Sequence, residues 1–102
     1  SISAICSNSW VKGKKKIIVE NEKYTGLKSI FHCIRIMQFA NQIISNQSIN
    51  YESMNWVYRR LMEMGVEMDG EKLWNAVQIE FKKLYKFIHN NFKNLTNEKF
   101  SK

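Results

Sequence analysis

Apolar residues recur at helical spacing in four stretches of the chain, separated by short polar breaks. Ile2, Ile5, Cys6 and Trp10 share one face of a first helix expected over Ser3 to Lys16, with Gly13 as its weak point. The β-branched run Ile17-Ile18-Val19 competes with that helix as a short strand near 17–19. Residues 20–26 read as a polar loop that closes at Gly26. Leu27, Ile30, Phe31, Ile34 and Met37 then form the apolar side of a second helix, roughly Leu27 to Ser45, which Ile43 and Ile44 extend. Asn46-Gln47-Ser48 ends it, and Ile49-Asn50-Tyr51 leads into a shorter helix over Tyr51 to Met64 with Met54, Val57, Leu61 and Met64 inward. Gly65 is its expected C-cap. Asp69 suits the N-cap of a long last helix, whose stripe is Trp74, Val77, Phe81, Leu84, Ile88 and Phe92, with fraying from Leu95 onward. The pattern predicts an all-α fold, an irregular bundle of about four helices.

Composition agrees with this picture and bounds it. The chain has 102 residues, 44% of them hydrophobic, with four glycines and no proline, which suits one helical domain over 1–102. It begins at Ser1 already inside a helical pattern, so it reads as a piece of a longer chain. Cys6 and Cys33 do not form a cysteine framework; a single disulfide stays open, but a reducing, intracellular compartment (cytoplasm or nucleus) fits better. Two cysteines and two histidines spread along the chain lack metal-ligand spacing. No apolar run approaches a membrane span, and no signal peptide is evident, so no membrane partner is expected.

Charge changes the picture more. Sixteen Lys and Arg against nine Asp and Glu give a formal net charge of +7, which favours an anionic partner such as nucleic acid, nucleotide or an acidic protein surface. Thirteen of the sixteen are lysines, and with abundant Asn and Ile this points to AT-rich coding as one source of the excess. The densest cluster is Lys12-Gly13-Lys14-Lys15-Lys16. Lys28, His32 and Arg35, spaced by four and three, stack on a helix face distinct from the apolar one. Lys, Arg and His together suit phosphate, although an ordinary solvated face has the same pattern. Tyr58, Arg59 and Arg60 give the third helix a basic, aromatic-flanked side better explained by packing than by base stacking. Lys82, Lys83, Lys86 and Lys93 lie outward on the last helix, where they also complement its dipole.

Catalytic chemistry is incomplete in this chain. Glu67-Met68-Asp69 has the look of a metal-binding acidic pair, but it stands just before a helix where capping accounts for Asp69. Cys33 follows His32, and successive helix positions do not face each other. No Gly-rich phosphate loop occurs.

The run Ser7-Asn8-Ser9-Trp10-Val11-Lys12, with Lys14-Lys15-Lys16, followed by Gly26, Lys28-Ser29, His32 and Arg35-Ile36, resembles the helical part of nucleotidyltransferase-like proteins of large viruses, phages and protists. Tyr51, Met54-Asn55 and Phe92-Lys93-Asn94-Leu95 continue the resemblance, which covers most of the chain and rests on Lys28 to Arg35. In such proteins a separate α/β domain carries a Gly-Ser turn and metal-binding carboxylates, and the helical part closes the nucleotide cleft. The resemblance implies Lys14, Lys15, Lys28, Ser29, His32 and Arg35 as the phosphate or nucleic-acid side. Lys28 and Arg35 would neutralise phosphate oxygens, Ser29 would donate a hydrogen bond, and His32 would orient the ligand or donate a proton. This chain has no Gly-Ser turn and no carboxylate pair, so the resemblance makes it the accessory half. No cofactor belongs to it, and Mg2+ enters only with an upstream catalytic domain. Two other readings stay open. One is a helical module holding nucleic acid by general positive charge. The other is a protein-interaction bundle anchored by Trp10, Trp56 or Trp74.

Overall fold

The structure, a computed structural model, describes residues 2–48 and 50–100, with side chains for all of these but 98–100. It is an all-α bundle of α1 (Ile2–Ile18), α2 (Lys23–Ile44), α3 (Asn55–Glu67) and α4 (Gly70–Phe100). Among the described residues there is no strand, and Ile17 and Ile18 close α1 instead. Burial decides that contest, because Ile17 is packed into the core where a helical last turn places it on the same face as Cys6 and Gly13.

α2 lies at the centre. α1 runs antiparallel along it, tied by the Ser29 hydroxyl donating to the Ser9 carbonyl at 2.9 Å and by the Cys6 thiol on the Cys33 carbonyl at 3.3 Å. α3 is also antiparallel to α2, with Tyr58 edge-on to Phe31 and Gly65 against Leu27 and Tyr24. α4 runs parallel to α2: Lys23 meets Asp69 at one end, and the Asn41 amide donates to the Ile88 carbonyl at the other. Residues 45–48 and 50–54 return along α2, where the Asn50 N–H donates to Gln42 Oε1 and Tyr51 meets Phe39. Ile49, expected within this link, lies outside the described residues. The core is Leu27, Ile30, Ile34 and Met37 of α2, Val57, Leu61 and Met64 of α3, and Leu73, Val77 and Phe81 of α4.

Several boundaries differ from the sequence expectation, each for a packing reason. α2 begins at Lys23, so Gly26 is an internal helix residue rather than the end of a turn. Its missing side chain lets α1 approach: a Cβ there would stand 2.7 Å from the Gly13 carbonyl oxygen. Gly13 is likewise buried inside α1 and is a crossing point rather than a weak one. α3 starts at Asn55, after turns over 51–54, and continues through Gly65 to Glu67. Gly65 is no C-cap, because it is buried where Leu27 and Tyr24 leave no space for a side chain. α4 continues past Leu95 to Phe100, and its ~46 Å of helix matches the long axis of the 46 × 24 × 19 Å molecule. Ile5 and Ile43, assigned to apolar faces, are about half exposed.

The chain reverses through residues that tolerate unusual backbone. Asn21 and Asn46, flanking α2, have φ of 54° and 59°, and Gly70 opens α4 at 55°. Asn enters the left-handed region more readily than other side-chain-bearing residues, and glycine enters it without steric cost.

Candidate phosphate-binding surface

α1 and α2 contain no acidic residue. The carboxylates nearest them in sequence, Glu20 and Glu22, sit in the connecting turn and are both held by Lys16, at 3.0 and 3.1 Å. That pairing lowers the Glu20 pKa, chiefly through the Lys16 hydrogen bond, and raises that of Lys16. Elsewhere Lys23 pairs with Asp69, and Arg60 with Glu80 and Glu63. Among the described residues Lys16, Lys23 and Arg60 are the cations in ion pairs, and the remaining Lys and Arg side chains have no carboxylate partner.

Lys28, His32 and Arg35 share one stripe of α2, turned roughly 110–170° from the Gly26/Cys33 line that meets α1. Lys28 and His32 are exposed; Arg35 is half-buried, with its guanidinium 5.1 Å from the centre of the Phe31 ring. Phe31 in turn meets Tyr58 at 5.2 Å, so the stripe runs onto an aromatic seam between α2 and α3. A guanidinium fixed over a ring keeps its planar donors available for phosphate oxygens.

The other expected residues stand apart. Ser29 points into the α1–α2 seam, where its hydroxyl serves the Ser9 carbonyl. Lys14 and Lys15 are exposed on α1, and as successive helical residues they diverge by about 100°, so they do not share a face. On α3, Arg60 is engaged by Glu80 of α4, whereas Arg59 is exposed. A second basic row runs along α4, where exposed Lys82, Lys83 and Lys86 lie between Ile79 and Phe87, themselves 79% and 70% exposed.

Nucleophilic chemistry is absent from the described residues around Cys33. Burial pushes both Cys33 and Cys6 thiols up in pKa, and a buried protonated thiol is inert. Among the described residues no group of three or more His, Cys, Asp or Glu comes together that could hold a metal ion. Among the described residues no helix is long and apolar enough to cross a membrane.

His89 has a structural partner. Its Nε2 lies 3.2 Å from the Ser3 hydroxyl and its ring packs at a tilt on Tyr85. Burial, and then the charge of Lys93, lower its pKa below the ordinary histidine value. The unfolded chain therefore takes up a proton at higher pH than the folded one. Stability is full above pH ~6.5 and is lost as the pH falls through the unfolded and then the folded pKa. Thermal melts should show a lower Tm at acid pH than at neutral pH, with that difference reduced in His89→Gln. An unchanged pH slope would remove His89 as its source.

Besides a recess where residues 21–25 meet Asp69, two others escaped the sequence pattern. One is wholly apolar, formed by Ile2, Ile36, Phe39, Ala40, Ile43 and Ile44. The other, of about 180 Å³, is lined by Gln38, Asn41, Gln42, Ser45, Gln47, Asn91 and Leu95, where the end of α2 meets α4. The available signal was the pair Asn41-Gln42 at positions that continue the buried phase of α2. In comparisons with known proteins, no family model, curated protein or solved structure matches this chain.

Proposed function

We propose that the chain is a non-catalytic helical module that binds RNA through phosphate contacts, with Lys28, His32 and Arg35 of α2 as the primary contact. The observation that carries this reading is that α1 and α2 contain no carboxylate, so that beyond Lys16, held by Glu20 and Glu22, and Lys23, held by Asp69, their cations have no carboxylate partner among the described residues. Tyr58, exposed beside the stripe where it meets the buried Phe31, adds aromatic surface of the kind that accepts unstacked bases. The resemblance to the helical part of nucleotidyltransferase-like proteins is consistent with an accessory role beside a catalytic domain.

A salt-series titration with a short single-stranded RNA tests it. Wild type should bind with an affinity that falls steeply as salt rises. Lys28→Ala/Arg35→Ala should weaken binding about tenfold or more at low salt and flatten the salt slope by about two phosphate contacts. Lys82→Ala/Lys83→Ala/Lys86→Ala should weaken it less. The reverse order would move the contact to α4, and equal losses would leave only diffuse positive charge.

A further inference from the structure

α4 is 31 residues long, and its outer side runs the length of the molecule. Leu73, Trp74, Val77, Phe81 and Ile88 turn one side of the helix into the core, which fixes the opposite side by helical geometry. That outer side carries Lys72, Lys82, Lys83, Lys86 and Lys93, all exposed and none with a carboxylate partner among the described residues. Glu80 is the one acidic residue between Lys72 and Asn97, and it is turned aside to Arg60 of α3. The helix dipole rewards cations only within the last turn. Because α4 continues to Phe100, Lys82, Lys83 and Lys86 lie beyond the reach of that effect.

Ile79 and Phe87 stand on the same outer side, 79% and 70% exposed. A lone exposed apolar side chain is ordinary. Here two of them project about 12 Å apart along the axis, each within one turn of two lysines. Single-stranded nucleic acid is held in grooves, between stacking rings and arginines. This surface is the convex side of one helix, contains no arginine, and presents aliphatic Ile79 where a base would need a ring. A bilayer is negatively charged at its headgroups and apolar just beneath them. It meets a long, straight, lysine-bearing helix along its whole length and takes in the apolar side chains that protrude.

We propose that the outer side of α4 docks the protein on an anionic lipid bilayer, with Lys82, Lys83 and Lys86 at the headgroups and Ile79 and Phe87 inserted among them. A surface can be held without being spanned, so the polarity that keeps α4 from crossing a membrane is no obstacle. Lys28, His32 and Arg35 belong to another helix, and the docking does not depend on them. The two surfaces are therefore separable by substitution.

The test is cosedimentation of the chain with phosphatidylcholine vesicles containing about a third phosphatidylserine, beside vesicles of phosphatidylcholine alone. Wild type should bind the anionic vesicles and not the neutral ones, less tightly as salt rises. Each lysine near an anionic surface multiplies the binding constant about fivefold, so Lys82→Ala/Lys83→Ala/Lys86→Ala should weaken binding about a hundredfold. Phe87→Ala, at an exposed position that leaves the fold intact, should weaken it about tenfold. Lys28→Ala/Arg35→Ala should stay within about twofold of wild type. No binding to anionic vesicles would overturn the proposal, as would a loss as large in the α2 variant as in the α4 variant. Indifference to Phe87→Ala would overturn it too, leaving charge without insertion. RNA binding that falls most in the α4 variant, with no vesicle binding, would make this a nucleic-acid surface instead. Failure with vesicles leaves RNA binding at α2 standing, whereas vesicle binding without RNA binding supports the docking side and sinks the RNA reading.

Discussion

Gly26→Ala should lower the urea midpoint more than Gly13→Ala, although both replace a helical glycine at the same crossing. Any alanine in a helix interior starts with an advantage of about 1 kcal/mol over glycine. At Gly26 the new Cβ would stand 2.7 Å from the Gly13 carbonyl oxygen, 2.7 Å from Ile17 and 3.1 Å from the Lys16 Cβ. The first of these is backbone, so relief requires α1 to move as a body. Overpacking of this kind costs about 1–3 kcal/mol and exceeds the propensity gain. At Gly13 the closest atoms are the Cδ1 and Cγ1 of the buried Ile30, at 2.7 and 2.8 Å, and the Gly26 carbonyl oxygen stands at 3.0 Å, so the backbone contact is the milder of the two. Gly26→Val adds further bulk to the same gap and should separate the hairpin outright. A Gly26→Ala midpoint equal to or above wild type would mean that the two helices do not approach this closely.

Phe81→Ala should cost the protein a large share of its stability. Phe81 is 1% exposed, faces Trp56 of α3 with ring centres 6.1 Å apart, and belongs to the α4 stripe that closes the core. Truncating a buried phenylalanine costs about 3–5 kcal/mol. A chain of this length has roughly 5–15 kcal/mol in all, so the variant would lose a large share of its stability. Phe87→Ala is the control: at 70% exposure it should stay within about 0.5 kcal/mol of wild type. Denaturant melts of the pair separate the two faces of α4, and similar losses at both positions would contradict the orientation described.

The apolar periodicity made most of this fold legible. Leu27, Ile30, Phe31, Ile34 and Met37 are all buried, as are Val57, Leu61, Met64, Trp74, Val77 and Phe81. The glycines misled, because local chemistry marks them as breaks whereas Gly13, Gly26 and Gly65 are contact points between helices. Only the partner helix reveals that, and the partner is distant in sequence. Ile17 and Ile18 misled for a related reason, since β-propensity is weaker than one buried helical turn against α2. At the candidate surface, Lys28, His32 and Arg35 could be placed on one stripe by spacing alone. Spacing could not show that Ser29 is turned into the α1–α2 seam, because serine suits either side of a helix. The carboxamide recess was invisible because Asn and Gln read as surface residues until a second helix covers them.

The links between helices bear on how the chain acquires its shape. Four residues, 19–22, join α1 to α2, and two, 68–69, join α3 to α4. Closing such short loops costs little chain entropy, so each hairpin can be sampled early and by itself. The α1–α2 pair has a glycine at each face of its crossing and needs no side chain from α3 or α4 to complete that contact. During synthesis it is the first pair to emerge in full, ready as a template on which the C-terminal half then docks. Helical proteins built from sequence neighbours fold in microseconds to milliseconds. The contacts of greatest sequence separation, and so the slowest to find, are those of α1 with α4, where Ser3 and His89 lie 86 residues apart.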